Sequence, residues 1–227
     1  MNRTKIEWTD YSWNPIVGCS YNCDYCYARQ QAKRQLHRCV LCYDFLPHIH
    51  YERLFEPRDI KKPSKIFTVS MGEFFDKKIA DNERNRILSV IESCPQHTFQ
   101  ILTKQLQNVE PKEYPNNLWL GVSLDGLKKV HPYDILFFIK DDFIKSSVKF
   151  LSLEPYLKEI NKQIISGFDW VIVGGKTGHK PFVPPKKWID VVVDECKRCG
   201  IPIFLKNNCN YPEVKQEYPK LNLKGGK

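Results

Sequence analysis

Six short runs of β-branched, aliphatic and aromatic residues punctuate the chain: "KIFTVS" at 65–70, "TFQILTK" at 98–104, "LWLGVSL" at 118–124, "KFLSLEP" at 149–155, "DWVIVGG" at 169–175 and "IPIFLKN" at 201–207. Each is nearly continuous in apolar character, the pattern of strands covered on both faces in a parallel sheet. The intervening stretches carry a different period. In "DNERNRILSVIES", 81–93, Ile87, Leu88 and Ile91 fall at helical spacing behind Asp81, a candidate N-cap. "PKKWIDVVVDECKRC", 185–199, opens on Pro185, where a missing N–H costs nothing, and stops before Gly200, a good terminator. "PYDILFFIKDDFIKS", 132–146, fits strand or helix; a strand already follows at 149–155 and parallel neighbours need a crossover, so a helix is expected.

Strand, helix, strand repeated in this way predicts right-handed βαβ units in one α/β domain over 1–227, either a barrel or a doubly wound sheet. Residues 29–64 read as a long irregular excursion, and the tail near 220–227, "KLNLKGGK", as frayed. No linker, low-complexity tract or repeat divides the chain.

Composition adjusts this picture. With 227 residues, 42% of them apolar, a packed core is affordable in area, and disorder is excluded as the main state. The opening segment lacks an apolar h-region and no apolar run is long enough to span a bilayer, so a soluble, cytoplasmic protein without membrane contact is expected. In that reducing compartment nine cysteines, an odd count, point to metal ligation or burial and not to disulfides. The formal charge of +9 suggests an anionic partner, nucleic acid first, although the basic residues are spread along the chain and a solvated basic surface accounts for them as well.

The chemistry concentrates in "GCSYNCDYCYA", 18–28, where Cys19, Cys23 and Cys26 are spaced CxxxCxxC. Three thiolates in one tight loop can hold three irons of a cubane 4Fe-4S cluster and leave the fourth iron open. Structural zinc competes, and needs a fourth ligand from His37, Cys39 or Cys42. Free, buried thiols are the third reading.

The spacing, with Tyr25 just before the last cysteine, resembles the signature of the radical S-adenosylmethionine (radical SAM) enzymes. That resemblance implies that the open iron chelates the methionine half of SAM. It also implies that an electron from the reduced cluster breaks the sulfur–C5′ bond to give a 5′-deoxyadenosyl radical. Seven ordered blocks, "TKIEWTDYSWNP", "SMGEFF", "PQHTFQILTK", "LWLGVSL", "FLSLEP", "DWVIVGG" and "IFLK", are similar to the phage-associated three-cysteine-motif family of the radical SAM superfamily. The family implies a partial parallel (β/α) barrel of the radical SAM type, with about six to seven strands and a cluster at its mouth. The first two cysteines stand closer together here than in many relatives, at the usual superfamily gap, and Lys176 stands where relatives commonly have Glu.

By the same resemblance Gly72 and Glu73, after "KIFTVS", match a glycine-rich turn whose backbone and carboxylate receive the SAM amino group; an ordinary βα turn is the plainer reading. Polar residues at strand ends would ring the mouth of a parallel barrel. Ser123 is a candidate for SAM ribose or carboxylate, Gly174 and Gly175 for close backbone approach to the cofactor, and Lys104, Glu154 and Lys206 for the substrate side, a buried ion pair being the alternative for these three.

Cys39 and Cys42 pair with Cys196 and Cys199 in one candidate second metal site, against simple burial of each; Cys94 and Cys209 read as core or free thiols. His48 and His50 form an HxH pair with no partner at metal-site spacing and read as loop surface. The basic run "RQQAKRQLHR", 29–38, reads as a helix that binds phosphates or merely faces water. Two function classes result: an iron–sulfur enzyme cleaving SAM, supplied with electrons by a donor such as flavodoxin or ferredoxin and acting on a substrate such as a nucleic acid or nucleotide, or a metal-stabilised nucleic-acid-binding module without catalysis.

Overall fold

The computed structural model describes residues 1–127, 130–178 and 180–220. The eight strands of its main sheet are β1 (Asn2–Arg3), β2 (Tyr11–Trp13), β3 (Lys65–Thr68), β4 (Thr98–Thr103), β5 (Leu118–Ser123), β6 (Val148–Leu153), β7 (Trp170–Val173) and β8 (Ile203–Leu205). They lie side by side in chain order. β1 joins β2 antiparallel, and every later pairing from β2 to β8 is parallel. Sequential order with one hand of crossover curls such a sheet toward a barrel, here an open one with edges at β1 and β8. The six apolar runs are therefore strands, and β2 is a seventh parallel one.

The two-faced apolarity of the runs has a direct cause. Phe99, Ile101, Leu118, Leu120, Val122, Leu151, Leu153, Val171 and Val173 pack outward against helices α3 (Asp81–Glu92), α4 (Pro132–Ile139) and α5 (Lys186–Cys199). Alternate residues point inward: Phe67, Trp119, Phe150, Trp170, Ile172 and Phe204 gather around Trp8 in a second core. Trp8 sits 4.8 Å from the Phe67 ring and edge-on to Trp170 at 6.4 Å, geometries worth about 0.5–1.5 kcal/mol each beyond their burial. Gly121 makes room, since a Cβ there would meet the Phe150 ring at 2.5 Å. Further toward the strand C-termini the inward positions turn polar, as Lys104, Ser123, Ser152, Glu154 and Lys206.

The open edge is covered. Leu205 donates its N–H to Lys215 at 2.6 Å and Glu217 donates to Ile203 at 3.0 Å, so the segment 215–217 masks β8. The Asn207 N–H reaches back to the Glu7 carboxylate at 3.0 Å, linking the last strand's end to the loop before β2.

Three local expectations change. Asp81 is the first residue of α3 and Ala80 occupies the cap; Asp81 and Glu83 instead complement the helix dipole, and Asp81 pairs with Arg84. The 132–146 segment is helical only to Ile139, because the buried Lys149 of β6 takes the Ile139 carbonyl at 3.0 Å and Asp141 at 2.7 Å, and Ile144–Lys145 then pairs with Lys112–Glu113. The 29–64 excursion starts as helix α1 (Tyr27–Gln35), continues through the short α2 (Val40–Tyr43), and adds a strand, His48–Ile49, antiparallel to Ile16–Val17. At α5 the expected stop holds: Gly200 has φ +69° and Ile201 donates back to the Cys196 carbonyl. The tail beyond residue 220 lies outside the described residues. No helix among the described residues is long and apolar enough to cross a membrane.

Candidate functional site

Past β2 and Ile16–Val17 the chain turns at Gly18, whose φ of +94° and position against the Leu46 carbonyl, 2.2 Å from where a Cβ would stand, leave no alternative residue. The cysteine loop that follows is tied on three sides. Cys19 donates its N–H to the Phe45 carbonyl at 3.1 Å. Gly18 donates its N–H to the Met71 carbonyl at 3.0 Å and accepts from the Glu73 N–H at 3.2 Å in the turn after β3, where a Cβ on Gly72 would stand 2.8 Å from the Gly18 carbonyl. The fully buried Asp76 accepts from Ser20 N–H and Oγ at 2.6 and 3.1 Å. Cys26 caps α1, its sulfur accepting from the Arg29 N–H at 3.4 Å, and the Cys19 sulfur accepts from the Tyr21 N–H at 3.2 Å. Such N–H···S bonds are how proteins tune cluster thiolates.

All three cysteines border one cavity of about 370 Å³ at the C-terminal ends of the strands. Tyr25, Gly72, Glu73, Lys104, Ser123, Glu154, Gly175 and Lys206 line it too. Ile6, Trp8, Phe67 and Leu102 form its apolar floor. Gly174 is the exception among the candidates: a Cβ there would stand 3.0 Å from both Glu154 and Lys206, so this glycine makes room for their ion pair instead of facing the cavity.

The polar lining is organised by burial. Glu73 is 4% exposed and accepts from Thr103 Oγ1 at 2.7 Å, Phe75 N–H at 3.1 Å and Lys104 N–H at 3.1 Å, leaving one acceptor direction. Burial nevertheless raises its pKa, the three hydrogen bonds opposing. Burial lowers the pKa of Lys104 against the pull of Asp125; its ammonium donates to Ser123 Oγ at 2.8 Å and lies over the Tyr25 ring. Tyr25 donates its hydroxyl to Asp125, and burial followed by that carboxylate raises its pKa strongly. Burial, then the Glu73 and Asp76 charges, push the Cys19 thiol up to about 12 against the Tyr21 N–H, so this sulfur is no free nucleophile at neutral pH.

The lining also holds residues to which the sequence assigned no role, Ser152 and Lys176 among them. Ser152, 1% exposed, has a hydroxyl with no protein partner, and it sits in register beside Ser123. Lys176 adds a third ammonium to those of Lys104 and Lys206. Ser152 was hidden because a lone serine within an apolar strand carries no motif.

The zinc reading of Cys19, Cys23 and Cys26 loses its fourth ligand. Cys39 and Cys42 turn to His48 and His50, and these four form a group that could bind a metal, their ligand atoms all within 4.8 Å of one another. Among the described residues no other set of three or more cysteine, histidine or acidic side chains is so compact. His37 bonds the Arg34 carbonyl instead. The structure also separates the two CxxC pairs: Cys196 is 1% exposed in the outer core on α5, and Cys199 lies against Glu195. Cys94 and Cys209 are buried in the same core, as expected.

The chain matches, over residues 3–225, the profile of a family described as "Protein of unknown function (DUF5131)". It belongs to the DUF5131 family. Among curated proteins none matches it in sequence. In fold this DUF5131 member is similar to a cysteine-to-serine mutant of spore photoproduct lyase, with TM-score 0.60, 8% identity, and 90% of this chain and 78% of that one covered. It is likewise similar to spore photoproduct lyase complexed with dinucleoside spore photoproduct, with TM-score 0.54, 9% identity and the same coverage.

Proposed function

We propose that this DUF5131 protein is a radical SAM enzyme in which Cys19, Cys23 and Cys26 hold a 4Fe-4S cluster and the adjoining cavity receives SAM. The observation that carries the reading is the convergence of three thiols, an unpartnered buried hydroxyl and a ring of strand-end polar groups on one cavity with an apolar floor. The fold likeness to spore photoproduct lyase, a radical SAM enzyme, supports it, as do the sequence blocks similar to the phage-associated three-cysteine-motif family. When bound, the cluster supplies one electron and an open iron for reductive cleavage of SAM to a 5′-deoxyadenosyl radical.

The chain's own residues have separable tasks. Glu73 fixes the turn after β3 against β4 and offers its remaining acceptor direction to the SAM amino group. Ser123 and Ser152 stand ready for ribose or carboxylate oxygens, and the Gly175 backbone lines the wall beside them. Trp8, Phe67 and Leu102 exclude water from below, which strengthens every charge interaction above. On the substrate side Glu154 and Lys206 hold each other in place, while Lys104 and Lys176 add positive charge. That charge suits a phosphate-bearing substrate, a nucleotide or nucleic acid, in keeping with the dinucleoside bound by the structural neighbour. A flavodoxin- or ferredoxin-type donor would supply the electron in the cytoplasm.

Anaerobic reconstitution should give a brown protein with broad absorption near ~400 nm, from thiolate-to-iron charge transfer. Addition of SAM and dithionite should then release 5′-deoxyadenosine from the wild type and not from Cys23→Ala. Equal product from both would sink the assignment. The compact Cys39 group and the net positive charge favour a second reading, a metal-stabilised nucleic-acid-binding module. Tight, salt-sensitive binding of an oligonucleotide with no SAM cleavage in the reconstituted wild type would select it.

A further inference from the structure

We infer that Cys39, Cys42, His48 and His50 form a closed, tetrahedral zinc site, separate from the three-cysteine loop, that braces that loop from behind. The four ligands come from a CxxC turn at the start of α2 and from both ends of the His48–His50 strand segment. Their ligand atoms converge: Cys42 Sγ lies 3.0 Å from His50 Nε2 and 3.5 Å from His48 Nε2, Cys39 Sγ lies 3.5 Å from His48 Nε2, and the two Nε2 atoms are 2.9 Å apart. A tetrahedron with Zn–S of about 2.3 Å and Zn–N of about 2.0–2.1 Å has S–N edges of about 3.5 Å and an N–N edge of about 3.3 Å. These four edges lie within about 0.5 Å of those values and all the ligand atoms lie within 4.8 Å of one another, so small side-chain adjustments bring all four onto one ion.

The tautomers of the two rings point the same way. His48 Nδ1 is 2.7 Å from the Leu46 carbonyl and His50 Nδ1 is 2.6 Å from the Glu52 carboxylate. Both acceptors require Nδ1 to carry the proton, so in each neutral ring Nε2 presents a lone pair. Two lone pairs facing each other at 2.9 Å repel unless a metal ion or an added proton lies between them, and the two sulfurs beside them suit the metal. The carbonyl and carboxylate behind the rings are the usual outer partners of metal-bound histidine. Cys39 Sγ in addition accepts the Cys42 N–H at 3.4 Å, the turn that presents both sulfurs to one point.

The ligand set selects the metal. Two thiolates and two imidazoles in tetrahedral array suit zinc, and four protein ligands leave no open position, so the site is structural. A two-iron cluster held by two cysteines and two histidines puts each pair on a different iron, which this compactness does not allow. Position gives the purpose. His48 pairs in register with Val17, two residues before Cys19, and Phe45, between the ligand pairs, accepts the Cys19 N–H. Cys42 and Phe45 also share a small core with Val17, Ala28, Ala32 and Met71, against which Cys19 and Cys26 pack.

The test uses the full chain purified without oxygen. Metal analysis should find about one zinc per chain, retained when Cys19, Cys23 and Cys26 are all replaced by alanine and reduced about tenfold or more in Cys39→Ser/Cys42→Ser. X-ray absorption at the zinc edge of the wild type should show two sulfur and two nitrogen neighbours, and this needs no variant to fold. Zinc below a tenth of an equivalent, zinc lost from the alanine triple variant but kept by the serine double variant, iron in its place, or a four-sulfur shell would each overturn the site. None of these results depends on SAM cleavage.

Discussion

The loop at 19–26 and the loop at 39–50 lie back to back, both rich in ligand atoms, and they are built to opposite ends. In the first, three thiols line a cavity of about 370 Å³. In the second, four ligand atoms point at a common centre, all within 4.8 Å. On the two proposals the number of ligands separates them: three thiols leave a cluster one open position, and four ligands close a zinc site. The same polypeptide excursion joins them, so the closed centre can hold still what the open one needs positioned.

The largest effect should come from a crossed set of variants. Cys23→Ala should reduce 5′-deoxyadenosine formation to background while leaving zinc content unchanged, and Cys42→Ser should remove the zinc; loss of both metals in both variants would break the distinction between the loops. Next in size is chelation. Where free zinc exceeds its dissociation constant about 1,000-fold, binding adds about 4 kcal/mol to stability, so stripping the metal should lower the thermal midpoint of the zinc-loaded chain visibly. An unchanged midpoint after complete zinc removal would show that the closed centre braces nothing.

Gly174→Ala is expected to act on the open site alone. Its new methyl meets Glu154 and Lys206 at 3.0 Å, and overpacking of this kind costs about 1–3 kcal/mol. SAM cleavage should fall and zinc stay; wild-type stability and activity would refute the packing role. The smallest effect is a pH slope. Burial raises the folded-state pKa of Glu73 above its ordinary 4.5, so the folded protein holds this proton more firmly than the unfolded chain. Its contribution is greatest below the ordinary carboxylate range and is lost as pH rises through the raised value. The difference in unfolding free energy between wild type and Glu73→Gln, which does not titrate, should therefore decline with rising pH from about 4.5 upward. A flat difference would place Glu73 in contact with water.

Much of the scaffold was legible in the sequence because its strands are apolar on both faces, one toward the helices and one toward Trp8. Strand-end polarity was legible for a similar reason: Lys104 and Lys206 follow the inward Leu102 and Phe204 by two positions, and Ser123 and Glu154 follow the inward Trp119 and Phe150 by four, so all four face the same interior. What pattern could not reveal was clearance and convergence. Gly174 looks like Gly175 until the Glu154 side chain is placed beneath it. His48 and His50 lacked a partner at familiar spacing because the pairing of 48–49 with 16–17, not local sequence, brings them to Cys39 and Cys42. Asp76 likewise reaches Ser20 only once the β3 turn lies against the cysteine loop.

The apolar residues around Trp8 close the inner end of the cavity, so whatever enters it comes to rest against them. If SAM binds there as proposed, whatever covers the outer part of the cavity governs when the fragments of its cleavage can depart. A long polymer laid across that outer part would work as a stopper, and turnover would then be timed by its lifting away.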